Sequence, residues 1–505
     1  MSNSPIKILL ELRPALDGHA GIPQATRLLF RGLSAIDGYT VEGLIQSNTY
    51  ALGEGLPAAE RLFRRKLSPD EQLNRLARVI ITLEQRVWYS YLSAVPMVLR
   101  HLSGRAEELT RFEPLHYRDF IWRKLFAKTL PSEDFDVVTR ADFRIAHVPW
   151  SVMQRCALVM RKLGYAMYPR LDTSDFDVMI AETPYPATVS RRTRLVIRYH
   201  DAVPLMMPHT IHNRRYHQAS HYHALRRNVK SGAWFVCVSE ATRKDLLSIF
   251  PQVETRSLTI HNTVSSHYFD EASPANRVQD IIKTRLTANI EPSLDPAIRR
   301  KLFDGEPSGP LQYLLIVSTI EPRKNHLTLL SAWEKLRVEA APNLKMLLVG
   351  GLGWHHEQIV KAFRPWMERG DVYFLEDVPS PELRLLYKHA CATVCPSFGE
   401  GFDFSGVEAM QSGGAVVASD IGAHREIYAD AAEYFNPYSV DDLSHAILNV
   451  IDPTRCARRD ELVSKGALVS RRYSFEEILP QWQLFLGTLS AAEEKIMQQR
   501  VSWAK

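Results

Sequence analysis

The sequence predicts an α/β chain built on two doubly wound parallel sheets. Three observations carry that expectation. Short runs dense in Val, Ile and Leu alternate with helical patterns, which suits parallel strands buried on both faces. The runs fall into two sets, and a proline-bearing stretch separates the sets. The 505 residues exceed what one ordinary core organises.

The first set of strand-like runs occupies residues 6–12, 41–45, 176–181, 195–199, 234–238 and 258–261. The second occupies 313–317, 346–350, 372–375, 392–395, 415–419 and 433–435. Helical spacing lies between them; Leu327, Leu330, Trp333 and Leu336 recur by threes after a polar start at Asn325. Residues 270–310 carry Pro274, Pro292, Pro296, Pro307 and Pro310 and read as the linker. The expected units are therefore 1–295, 310–480 and a helical tail at 481–505.

One stretch breaks the alternation. Residues 56–175 read as a helical, basic insertion in the first unit. Between Arg61 and Leu130 there are 14 Lys/Arg against 7 Asp/Glu, a net of +7. Phe63, Trp88, Tyr89, Tyr91, Phe112, Tyr117, Phe120, Trp122 and Phe126 are interleaved. Two readings stand: a face for anionic lipid or an anionic acceptor, or an amphipathic insertion with a solvated basic face.

Apolar residues make up 45% and charged residues 24%, a globular composition. A net charge of +5 from 62 basic and 57 acidic residues argues against nucleic acid as the partner. Cys156, Cys237, Cys391, Cys395 and Cys456 are odd in number and match no zinc or thioredoxin spacing, so reduced thiols are expected. Residues 1–5 lead into a strand rather than a signal core, and no run of about eighteen apolar residues occurs. The expected location is cytoplasmic, with peripheral contact on the inner face of the cytoplasmic membrane.

Several polar clusters sit at strand ends, where open α/β sheets bind ligands. Arg323 and Lys324 follow the run at 313–317 and could meet a diphosphate or stand solvated at a loop tip. Glu400 lies between Gly399 and Gly401, where backbone can approach a ligand. Glu408 lies in the first turn of the next helix. Ser405-x-x-Glu408 also fits a capping box, in which the glutamate serves only the Ser405 amide. His200 and Asp201 follow the run at 195–199, and Asp201 could simply cap the next segment. Gly18 and Gly21 follow the first strand in a short loop before a helix, without a full GxGxxG pattern. His217, His221 and His223 have superficial metal spacing but no carboxylate or cysteine to complete a set; they read as helix histidines, and no metal ligand is assigned.

Together these elements resemble the family 4 retaining glycosyltransferases, which have the GT-B fold. The resemblance is densest from Ser318 to Pro437. It rests on the Ser-Thr-Ile-Glu-Pro-Arg-Lys-Asn segment ending at Asn325, on Gly350, Gly351, Gly353 and Trp354, and on Glu400 with Glu408. Ala415 to Asp420, Glu426 and the turn at Phe435 to Pro437 follow in order. In the first half, residues 197–201, 238–242 and 260–263 are similar to the family's acceptor-side landmarks.

The resemblance implies two Rossmann-like domains facing across a cleft, with the nucleotide held mainly by the second. It implies that Arg323 and Lys324 hold the diphosphate and Glu408 the ribose hydroxyls. Glu400 would contact the transferred sugar, together with Gly401, Phe402 and Phe404 of the same loop. His200 would face that sugar from the first domain, and Gly21 would lie against the phosphates. Retention by front-side attack needs no metal, so no cofactor is expected beyond the nucleotide-sugar donor. The Thr-Ile-Glu-Pro-Arg-Lys-Asn segment is similar to bacterial mannosyltransferases, which implies mannose from GDP-mannose and a glycan or lipid-linked glycan acceptor in surface polysaccharide synthesis. A GDP-deoxyhexose or a UDP-sugar is the enzymatic alternative. A catalytically silent scaffold of a polysaccharide assembly complex is the other. The family's usual Glu-Gly-Phe-Gly-Leu reads here Glu400-Gly-Phe-Asp403-Phe404, and Asp403 is expected to point away from the donor or to bond.

Overall fold

A computed structural model describes residues 5–16, 18, 21–57, 67–85, 90–162, 167–289 and 309–503. The first sheet contains β1 (Ile6–Glu11), β2 (Tyr39–Gln46), β3 (Thr110–Phe112), β4 (Phe143–Ala146), β5 (Val178–Ala181), β6 (Arg194–Tyr199), β7 (Trp234–Cys237) and β8 (Ser257–Thr259). Its order is β3-β4-β2-β1-β5-β6-β7-β8, parallel throughout except for the β3–β4 pair. The second sheet contains β9 (Tyr313–Val317), β10 (Lys345–Val349), β11 (Val372–Leu375), β12 (Ala392–Cys395), β13 (Val416–Ser419) and β14 (Ala432–Phe435). Its order is β11-β10-β9-β12-β13-β14, all parallel. Every apolar run named from the sequence forms one of these strands.

Period-two alternation explains why such strands are apolar on both sides. In β1, Ile8 and Leu10 join the core under helix Gly21–Ser34, while Leu9 joins the core of the opposite layer. In β9, Tyr313 and Leu315 face one layer and Leu314 and Ile316 the other.

Three expectations change. The stretch 56–175 is not purely helical: it supplies β3 and β4, and β4 pairs in parallel with β2. Five of the aromatics there pack into the core rather than forming an interfacial belt. Phe112 and Phe126 are fully buried, and Phe126 stacks on Phe30 at 5.3 Å. Tyr117, Phe120 and Trp122 pack against the same core, whereas Phe63, Trp88 and Tyr89 lie outside the described residues. Within helix His326–Glu339, Leu327 is 46% exposed while Leu330, Trp333 and Leu336 are buried. A spacing of three falls about 60° short of a full turn each time, so three steps carry the stripe to the opposite face.

Helix Arg277–Asn289, inside the stretch read as linker, packs on β11 and on helix Ser380–His389. Arg285 there grips Glu382 through two bonds of 2.6 and 2.5 Å. The last helix, Phe475–Trp503, returns to the first sheet's layer. Gly32 is what admits it: a Cβ there would sit 2.6 Å from Leu479. Farther along, Phe485 meets Trp234 at 5.9 Å. Among the described residues no helix is long and apolar enough to cross a membrane.

Candidate active site

Both sheets reverse their winding at one place, between β1 and β5 and between β9 and β12. Loops diverge there beyond the carboxyl ends of the strands and leave a crevice. The two crevices face each other and form one cleft of about 780 Å³. Gly21, His200, Arg323, Lys324, Glu400, Gly401, Phe402, Phe404 and Glu408 all line it.

On the second sheet the site is a tight ion cluster. Arg323 and Lys324 follow β9 and reach Glu400, which follows β12. Arg323 Nη1 donates to Glu400 Oε2 at 2.7 Å, and Lys324 Nζ donates to Oε1 at 2.6 Å. Arg323 Nη2 also donates to Glu321 Oε1 at 2.8 Å. Burial alone would raise the Glu400 carboxyl, but the two cations outweigh it and hold it below the ordinary value. Burial likewise works against the Arg323 charge, and Glu400 and Glu321 overcome it.

The glutamate at 408 is not a cap. Helix Phe404–Gln411 is capped by Asp403, whose Oδ1 accepts from the Ser405 amide at 3.1 Å and the Ser405 hydroxyl at 2.7 Å. The Ser405 hydroxyl and amide are thus engaged by Asp403, two residues earlier, and not by Glu408. Asp403 Oδ2 lies 3.3 Å from His424 Nε2, and with Oδ1 committed to Ser405 the extra carboxylate is bonded rather than loose in the cleft. Glu408 instead accepts from Gln24 Nε2 at 2.7 Å, across the cleft, and from the Tyr387 hydroxyl at 2.9 Å. Burial pushes its carboxyl up to about 7 against those bonds.

On the first sheet, His200 Nε2 lies 2.9 Å from Glu182 Oε2, and Arg198 Nη1 stands 3.5 Å from the same carboxylate. A carboxylate can only accept, so the ring proton is on Nε2 and Nδ1 is left as an acceptor. Burial lowers the His200 pKa despite Glu182, which keeps the ring neutral near pH 7. Asp201 accepts from the Val203 amide at 3.0 Å and so caps the next segment. Gly401 touches this region: a Cβ there would lie 1.7 Å from the His200 carbonyl oxygen. Gly21 opens helix Gly21–Ser34 beside the Phe404 ring, 3.5 Å from where its Cβ would be.

Sequence reasoning missed several partners. Gln24, Glu182, Tyr268 and Tyr387 complete the environments of Glu408 and His200. Arg27 is fully buried and donates to the carbonyls of Ala15, Gly18 and Leu125 and to Thr129 Oγ1, tying the glycine loop to the insertion. A signal existed for Glu182, a carboxylate ending the apolar strand β5; none existed for Gln24. His217 packs on Trp354 at 4.9 Å, and His221 Nε2 lies 3.2 Å from the Tyr199 hydroxyl.

Residues 299–466 match the family described as glycosyl transferases, group 1. O-antigen chain mannosyltransferase B of Escherichia coli is 27% identical over 293 residues, which is 58% of this chain and 69% of that protein. The phosphatidyl-myo-inositol mannosyltransferase of Mycolicibacterium smegmatis is 29% identical over 198 residues, 39% of this chain and 50% of that one. The O-antigen chain mannosyltransferase RfbU of Salmonella typhimurium is 40% identical over 79 residues, 16% of this chain and 22% of that one. Among solved structures, sucrose-phosphate synthase of Thermosynechococcus elongatus superposes with a TM-score of 0.57 at 13% identity, covering 96% of this chain and 100% of that one. Anabaena Alr3699/HepE in complex with UDP-glucose superposes with a TM-score of 0.53 at 15% identity, covering 96% and 100%. These last two likenesses establish the two-domain GT-B fold.

Proposed function

We propose, from the premise that this chain is a mannosyltransferase-like glycosyltransferase of the GT-B fold, that it moves a hexose with retention onto a glycan or lipid-linked glycan in surface polysaccharide synthesis. The observation that carries the reading is the convergence of Arg323, Lys324, Glu400, Glu408 and His200 on one cleft at two facing switch points. GDP-mannose is the favoured donor, because the sequence relatives are mannosyltransferases.

The geometry supports the chemistry as follows. Arg323 and Lys324 stabilise charge developing on the leaving diphosphate. Glu408 takes the ribose hydroxyls, with Gln24 and Tyr387 giving way. Glu400 accepts from the transferred sugar and orients both cations, and neutral His200 offers Nδ1 to a sugar hydroxyl. The acceptor hydroxyl oxygen bonds to the anomeric carbon on the face the phosphate leaves. The anomeric C–O bond breaks, its electron pair stays on the β-phosphate oxygen, and that oxygen takes the hydroxyl proton. Arg323 and Lys324 supply the positive charge for this step, so no metal is assigned a role.

Peripheral membrane contact belongs to the same reading. Helix Ala94–Leu102 turns Val95, Leu99 and Leu102 outward along one face, with Leu99 62% exposed. The neighbouring helix Trp150–Lys162 adds exposed Val159 and carries Arg155, Arg161 and Lys162. Leucines rimmed by cations suit an anionic bilayer. Leu99→Asp should abolish flotation with phosphatidylglycerol vesicles; unchanged flotation removes this face from membrane binding.

The deciding experiment is donor consumption across GDP-, UDP-, ADP- and dTDP-sugars, with and without EDTA. Consumption of GDP-mannose despite EDTA is expected. Turnover of UDP-sugars alone would remove the mannose assignment, and binding of no donor would favour the silent scaffold.

A further inference from the structure

Beside the donor cleft lies a second pocket of about 450 Å³, which shares no residue with it. That volume is within the range of about 300–1,000 Å³ typical of small-molecule sites. Its wall is an aromatic pair. Phe398 and Tyr438 stack with centroids 5.1 Å apart and planes 25° apart. Tyr438 is 77% exposed, so apart from its contact with Phe398 the ring stands open to solvent, an unusual place for an aromatic side chain.

The pair is held in place. Asn325 Nδ2 donates to the carbonyls of Pro396 and Pro437, at 3.0 and 2.9 Å, and so pins the loops that carry both rings. The Phe398 amide donates to the Arg323 carbonyl at 3.0 Å. The Tyr438 amide donates to Asn436 Oδ1 at 3.0 Å, which leaves the Asn436 Nδ2 donor available. Asp442 lines the pocket from the first turn of helix Val440–Ile451, and none of the described residues hydrogen-bonds its carboxylate. Asp420 completes the rim, fixed by Arg425 through bonds of 2.6 and 2.8 Å.

An exposed aromatic platform with a free amide donor and carboxylate acceptors is the chemistry that recognises a neutral pyranose. The C–H face of the ring packs on the aromatic face, and the hydroxyls donate to carboxylates. The carboxylate rim disfavours phosphate, so nucleotides and phospholipid headgroups fit poorly. Phe398 is two residues from Glu400, and Met207 Sδ lies against Gly399 between them, 2.8 Å from where a Cβ would be. The loop that carries Glu400 into the cleft therefore also carries Phe398 into this pocket.

We propose that Phe398, Tyr438, Asn436 and Asp442 form a subsite for a neutral hexose unit of the acceptor glycan, distinct from the donor cleft. The inference rests on the glycosyltransferase reading for its ligand but not for its test. Linear mannotetraose, maltotetraose, cellotetraose and methyl α-mannoside are titrated by NMR, without donor, into wild type and into Tyr438→Ala, Tyr438→Phe and Asp442→Asn. At least one tetraose should bind wild type and bind Tyr438→Ala at least tenfold more weakly, about 1.4 kcal/mol. Tyr438→Phe should stay within twofold, Asp442→Asn should weaken binding, and nucleotide affinity should not change. Equal tetraose affinity in wild type and Tyr438→Ala, or no tetraose binding to wild type, overturns the subsite. Donor hydrolysis is measured on the same proteins. Donor consumption without glycan binding sinks the subsite alone, and glycan binding at Tyr438 without donor consumption sinks the catalytic reading alone.

Discussion

The Glu408 carboxyl offers the sharpest test of the donor site. Burial holds its pKa at about 7, so roughly half of the molecules carry it protonated at neutral pH. Ribose hydroxyls can donate only to an acceptor, and an ionised carboxylate is the better one. Donor binding should therefore release a proton, and the apparent Kd should scale as 1 + 10^(pKa − pH). That factor is about 11 at pH 6 and about 1.1 at pH 8, so donor affinity should rise about tenfold across the interval. A nucleotide-sugar diphosphate has no ionisation of its own in this range, which assigns the slope to the protein. Calorimetric titration in buffers of different ionisation enthalpy counts the released proton directly. Glu408→Gln should flatten the profile and bind the donor weakly at every pH. The same shift has a stability consequence. A carboxyl whose folded pKa lies above its unfolded value favours the protonated fold, so its contribution falls as pH rises from about 4.5 through 7, by on the order of 3 kcal/mol. Glu408→Gln should gain stability relative to wild type over that window. A donor Kd flat from pH 5.5 to 8.5, or a slope that persists in Glu408→Gln, refutes the assignment.

Arg323→Ala should lower kcat by two or more orders of magnitude, as loss of a charged transition-state contact does; a change below threefold in steady-state turnover removes it from the mechanism. Gly401→Ala places a methyl 1.7 Å from the His200 carbonyl oxygen and must part the two halves. Turnover should fall by about a hundredfold, the usual cost of a misplacement near 1 Å, with a larger radius in solution scattering; turnover within threefold would show the contact to be dispensable. Arg27→Met leaves three buried acceptors, together with the Gly18 carbonyl, without their donor. Urea unfolding should report a loss of roughly 3 kcal/mol, and an unchanged midpoint would mean the loop does not depend on it.

The sequence made strands legible where they were continuous apolar runs, because burial on both faces removes any need for polar residues. β4 escaped notice because Arg144 interrupts Phe-Arg-Ile-Ala. Arg144 is tolerated there through Glu42 at 2.6 Å and through stacking over Phe176, partners that local patterning does not reveal. The candidate site was legible where its residues sit just beyond strand ends, as Arg323, Lys324, Glu400 and His200 do. The partners of those residues were not. Gln24 and Glu408 are 384 residues apart and meet only because two switch points face each other. The capping question at Glu408 also needed coordinates. Asp403 and Ser405 are both good N-caps, and the backbone begins the helix at Phe404, which gives the cap to Asp403 and frees Glu408.

Asp403 also bears on the silent-scaffold alternative, since a free carboxylate where the family pattern has glycine would repel a diphosphate. Three features offset it. Its Oδ1 is committed to the Ser405 amide and hydroxyl. Its Oδ2 lies 3.3 Å from His424 Nε2, and the ring is held through Nδ1, 3.0 Å from the Ser419 carbonyl. Burial would raise the Asp403 carboxyl, yet His424, Lys324 and Ser405 together hold it far below the ordinary value. A carboxylate that serves as a helix cap and is committed to local partners adds fixed structure to the loop rather than a loose charge to the cleft. It stiffens the segment from Glu400 to Phe404, and rigid placement of charged groups is what a transferase needs at its leaving-group site. The departure from glycine therefore supports a catalytic loop stabilised by a different device, with Arg323, Lys324 and Glu400 still converging around it.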